Sequence, residues 1–148
     1  PRRTTEAVTT GTWEPDGPAL PDAADLAAAA ACWRAHGSDE PDLQALAAAL
    51  DVPLRDRLRG AMQAPAGTLA DALPELSAED AADLARLLTV LEALPGFEAG
   101  ARSPVVPLMK GLRPQLDREA YAELVRWIRA HTENRFLPHG SLQDRLRA

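Results

Sequence analysis

The 148-residue sequence is poor in the residues that build sheets and covalent frameworks. It holds one isoleucine, six valines, one tyrosine and two phenylalanines, too few β-branched and aromatic side chains for an extensive β-sheet. A single cysteine, Cys32, excludes an internal disulfide framework. No run approaches the roughly 20 apolar residues that cross a bilayer. The most apolar early stretch, Leu26 to Trp33, is eight residues long and follows Asp22 and Asp25. Thr4 to Pro18 has no apolar centre, so Arg2 and Arg3 do not begin a secretory signal. One thiol and no export signal predict a cytoplasmic protein that does not enter a membrane. Scarce lysine (Lys110 alone) and isoleucine beside abundant Ala, Arg and Pro fit a GC-rich bacterial coding sequence.

What is present points to helices. The chain carries 30 Ala, 22 Leu and 15 Arg, all strong helix formers. A charged content of 26% beside 46% apolar residues excludes wholesale disorder, and the length supports one core burying about two-thirds of the unfolded surface. The expectation is an all-α fold, a single compact domain of about six to eight short-to-medium helices. That domain is expected over residues 22–148, with an extended arm over 1–21. Five of the eight threonines lie in the arm, followed by Trp13 and the turn-rich run EPDGPALP.

Punctuation along the chain sets the expected helices. Asp22 to His36 runs into Gly37, suited to a left-handed C-terminal position. Pro41 to Leu50 places proline in a first turn, Asp51-Val-Pro forms a corner, and Leu54 to Ala64 continues as a third helix. A short helical turn is expected after Thr68, stopping before Pro74. Ser77 opens S-A-E-D, a capping-box-like start, and Leu84, Leu87, Leu88, Leu91 and Leu94 repeat at helical spacing until Pro95-Gly96. Ser103-Pro104 leads a helix weakened by Pro107. Asp117 caps another with Tyr121, Leu124, Val125 and Ile128 inward, closed by Asn134. Ser141 starts a last short helix.

Chemistry-bearing patterns are sparse. Cys32 and His36 share a helix face, but two ligands with no matching second pair do not make a metal site, and His131 and His139 have no such spacing. There is no G-x-S-x-G elbow and no glycine-rich phosphate loop. Ser103 and Ser141 precede helices, where capping accounts for them. No cofactor and no enzymatic reaction are expected.

Charge is distributed unevenly. Residues 1–98 hold seven basic and 17 acidic side chains, a balance of −10; residues 99–148 hold nine and five, or +4, giving the net −6. Offsets of four, eight and eleven place Arg118, Ala122, Arg126 and Arg129 on one stripe. Arg113, Arg135, Arg145 and Arg147 could extend it, and the guanidinium fork suits carboxylate or phosphate recognition. The plainer account is a solvated face with Glu123 pairing to Arg126. Trp127, between Arg126 and Arg129 in sequence, suits an interface anchor, unless the segment NRFLPHG covers it. The leading expectation is a non-enzymatic adaptor or small regulatory protein whose basic C-terminal region binds an acidic protein partner. The expected contacts are Arg113, Arg118, Arg126, Trp127, Arg129 and Arg135, and self-association into a homo-oligomer stays open.

A second expectation comes from residues 42–64. The run LQALAAALDVPLRDRLRGAM resembles a helix-turn-helix unit, with Leu46, Ala47, Leu50 and Val52 where its first helix and turn would place them. That resemblance implies a DNA-binding transcription regulator, with Arg55, Arg57 and Arg59 toward nucleic acid. Asp51 stands where the motif usually has glycine, and the apolar residue is Leu58 where the pattern would put one at Arg57.

Overall fold

The computed structural model describes residues 20–65, 68, 69, 71–132 and 134. These form six α-helices and two short 3-10 turns with no strand among them. The helices are α1 (Ala23–His36), α2 (Leu43–Ala49), α3 (Val52–Gln63), α4 (Ala78–Leu91), α5 (Val105–Leu112) and α6 (Arg118–His131), with 3-10 turns at Leu73–Glu75 and Gly100–Arg102. The all-α expectation holds. Nearly all of the expected arm, and the expected helix after Ser141, fall outside the described residues, as do Trp13, Arg135, Arg145 and Arg147.

Short acceptor side chains fix where five helices begin. Asp22 accepts the Asp25 N–H at 2.8 Å while Asp25 reciprocates at 3.1 Å, a closed capping box. Asp42 accepts from Ala45, Asp51 from Leu54, Ser77 from Asp80 and Asp117 from Ala120, all within 2.8–3.1 Å. Each bond satisfies one of the donors a helix start leaves without an intrahelical partner.

Several expected boundaries move. Pro41 lies before the cap, because Asp42 takes that role. Asp51 is the N-cap of α3 and Pro53 sits in its first turn, so the corner between α2 and α3 shrinks to Leu50 and Asp51. Gly37 ends α1 in an extended conformation (φ −80°, ψ 162°), not the left-handed one expected. Left-handed glycines occur instead at Gly96 and Gly100. Pro74 lies inside a 3-10 turn, where a first-turn proline forfeits no hydrogen bond. The same holds for Pro107, third residue of α5. α4 stops at Leu91, before Leu94, and α6 stops at His131 with Thr132, not Asn134, as its C-cap.

α4 is the central element. It packs against α1, α2, α5 and α6, and Leu84, Leu87, Leu88 and Leu91 are essentially free of solvent. Burial of such side chains stabilises by about 1.5–3 kcal/mol each. α1 meets α4 through Leu26, Ala29, Ala30 and Trp33, where alanines keep the helix surface low. From α6 only Leu124 and Ile128 are fully buried; Tyr121 and Val125, expected inward, are half-buried.

Candidate functional site

The expected basic face is present on α6. Arg118, Arg126 and Arg129 are exposed, and among the described residues none of the three joins an ion pair. The Glu123–Arg126 pair expected from their spacing does not form. The other expected contacts separate from this stripe. Arg113 follows α5, its guanidinium 5.7 Å from the centroid of the Tyr121 ring. Trp127 points to a different side of α6, edge-to-face with Trp33 at 5.3 Å and stacked on His131 at 3.9 Å. Arg135 lies outside the described residues.

Every ion pair among the described residues lies between positions 25 and 86. Arg34 of α1 reaches three α4 carboxylates: Asp80 at 2.7 Å, Asp83 at 3.0 Å and Glu79 at 3.7 Å. The hydrogen bond from Arg34 to Asp80 is the chief reason its guanidinium holds its proton above the ordinary range; Asp83 adds to this, and partial burial opposes it. Arg86 shares Asp83 at 3.2 Å, Arg57 meets Asp25 at 3.3 Å and Arg59 meets Asp56 at 3.0 Å. Arg55 donates to the Ala47 carbonyl at 2.8 Å, pinning the α2–α3 corner. The three arginines expected to face DNA therefore all bond within the fold.

A cleft not legible in the sequence opens between the end of α1, the loop that follows it, α4 and α6. It measures about 400 Å³ and is lined by Trp33, Arg34, Gly37, Ser38, Asp39, Asp83, Arg86, Glu123 and Trp127. Its aromatic wall is held from behind. His131 Nδ1 lies 2.7 Å from the Trp127 carbonyl and Nε2 lies 2.7 Å from the Asp39 carbonyl, each nitrogen able to donate when it carries the hydrogen. That second contact ties the loop after α1 to the end of α6. On the rim, the Asp39 and Glu123 carboxylates join no ion pair among the described residues.

A buried polar cluster joins the end of α4 to the start of α5. Glu92 is only 8% exposed at the C-terminal end of α4, where the helix dipole disfavours negative charge. Burial pushes its carboxyl above the ordinary value near 4.5, opposed by hydrogen bonds from Ser103, Asn134 and the Ala99 backbone. Ser103 Oγ donates to Glu92 at 2.5 Å and accepts the Val105 N–H at 3.2 Å. Asn134 Nδ2 reaches Glu92 at 2.7 Å and the Gly100 carbonyl at 3.0 Å. Ser103 is not the N-cap expected, since Pro104 holds that position without a side-chain cap bond; its hydroxyl instead forms a buried bridge between the end of α4 and the start of α5. Ser103 is 1% exposed, so its hydroxyl does not face a cleft.

Among the described residues no group of three or more His, Cys, Asp or Glu could hold a metal ion. Cys32 is half-buried, and burial raises its thiol above the ordinary value. No helix of the described residues is long and apolar enough to cross a membrane. No protein-family model matches the sequence, and neither a curated protein nor a solved structure matches it.

Proposed function

We propose that the protein is a non-enzymatic helical interaction module, an adaptor or small regulatory subunit, whose basic α6 face binds an acidic protein partner. One observation carries the reading: the described arginines of the front half bond within their own chain, Arg34, Arg57, Arg59 and Arg86 to carboxylates and Arg55 to a carbonyl, whereas Arg118, Arg126 and Arg129 are exposed without an ion pair among the described residues. Guanidinium groups held in one stripe can meet carboxylates in paired, two-bond geometry. The helix beneath them is anchored by the Asp117 cap and by Leu124 and Ile128, so the stripe sits on a firm support. The DNA-binding reading over residues 42–64 ranks second, because Arg55, Arg57 and Arg59 are bonded internally.

The test is R118E/R126E/R129E in affinity capture, with bound proteins separated by isoelectric point. The expected result is loss of the acidic proteins that the wild-type chain retains, with unchanged helical circular dichroism. Capture that survives the charge reversal refutes the proposal.

A further inference from the structure

We propose that this chain associates with itself head to tail, the arginine stripe of α6 in one copy docking on the acidic cleft of the next. This rests on the basic-face reading above and names its acidic partner as a second copy.

The cleft has the chemistry of a guanidinium receptor. Arg34 and Arg86, its two cations, are already engaged by Asp80 and Asp83. Asp39 and Glu123 on the rim hold no ion pair, which leaves the cleft with excess negative charge. Trp127 offers an indole alongside which the aliphatic stem of an arginine can lie with its planar head near the ring, a favourable cation–π arrangement. The volume of about 400 Å³ admits such a side chain.

The complementary surface belongs to the same chain. Arg118, Arg126 and Arg129 are cations without a carboxylate among the described residues. Their placement decides the kind of assembly. At about 100° per residue, Arg118 and Arg129 lie roughly 120–180° around α6 from Glu123 and Trp127, whereas Arg126 lies about 60° from Glu123 and about 100° from Trp127. The stripe is thus centred on the far side of α6 with Arg126 alone flanking the cleft, so Arg118 and Arg129 cannot fill the cleft of their own chain. A contact between two different surfaces is heterologous and repeats until it closes or the chain of copies ends.

The experiment is sedimentation velocity on the full chain across a concentration series at low and raised salt, with two variants. R118E/R126E/R129E removes the stripe and D39K/E123K reverses the rim of the cleft. All five side chains are exposed, and circular dichroism checks folding; R118Q/R126Q/R129Q and D39N/E123Q replace any variant that misfolds. The wild-type chain is expected to sediment faster with rising concentration, without a plateau at dimer, and to dissociate as salt screens the charges. Each variant alone is expected to stay monomeric. Mixed one to one, they are expected to form a dimer and stop, because the intact cleft of the stripe variant accepts the intact stripe of the cleft variant. A wild-type chain monomeric throughout, a stripe variant that still associates, or a mixture that stays monomeric overturns the inference. If the wild type is monomeric yet loses captured acidic proteins on stripe reversal, the interaction-module reading survives and self-association does not.

Discussion

Replacing Gly37 by alanine is expected to destabilise the fold for a steric reason specific to this structure. A Cβ at that position would stand 2.3 Å from Cδ2, 2.4 Å from Cε2 and 2.7 Å from Cε3 of Trp33. Reaching an ordinary contact of 3.4 Å from 2.3 Å requires a shift of 1.1 Å. Trp33 has little room to give, being 6% exposed and set edge-to-face against Trp127. Overpacking of this kind costs about 1–3 kcal/mol, and disturbing the aromatic pair adds about 0.5–1.5 kcal/mol. The combined loss of roughly 2–4 kcal/mol corresponds to a fall in Tm of roughly 4–16 °C for a chain of this size. Urea unfolding followed by far-ultraviolet circular dichroism reads the loss, and near-ultraviolet dichroism reads the tryptophan environment. G37N separates this cause from a backbone one. Asparagine tolerates a left-handed glycine site, but at φ −80° it has no such advantage and meets the same ring. G111A is the matching control: nothing lies within 4 Å of its Cβ, so helix propensity makes it neutral or stabilising by about 0.5–1 kcal/mol. A G37A protein within about 0.5 kcal/mol of wild type with unchanged tryptophan dichroism would refute the packing described.

Two further expectations concern the core and the buried carboxylate. L87A, which empties a fully buried site on the central helix, is expected to cost about 2–5 kcal/mol in denaturant unfolding; a loss below about 1 kcal/mol contradicts the placement of α4. Glu92 has its folded-state pKa raised by burial. Its contribution to stability is therefore fully present below the ordinary carboxyl value of the unfolded chain and is lost as pH rises through the folded value. E92Q removes that dependence, so unfolding midpoints for wild type and variant are expected to diverge with pH across this window, the variant showing the flatter profile. Parallel profiles contradict the assignment.

The helices were legible where one local signal decided them. Ser77 with its acidic first turn and the leucines from Leu84 to Leu91 marked α4, and Asp117 marked α6, because a cap and a hydrophobic period are both read within a few residues. Asp42 and Asp51 were hidden by the prolines beside them. Proline and a capping carboxylate compete to mark the same start, and only the hydrogen bonds show that the carboxylate holds the cap position. The arginine stripe followed from helical spacing alone. Its separation from Trp127 follows from the same spacing; what the spacing does not give is that the distant Trp33 packs against Trp127. The cleft depends on the same tertiary placement. Glu92 did leave a trace, as a lone carboxylate between Leu91 and Ala93-Leu94 at the end of a leucine-rich helix.

The contact between His131 and the Asp39 carbonyl spans 92 positions of the chain. Closing so long a loop carries an entropy cost that rises with the logarithm of its length, and nothing local favours bringing these two ends together. The contact therefore belongs among the last to form, after α1 and α6 have both docked on α4. In kinetic terms the imidazole is a clock hand. A resonance shift at its ring on refolding dates the moment when the first and last described helices close on one another, and substitutions there are expected to hasten unfolding while leaving the folding rate almost unchanged.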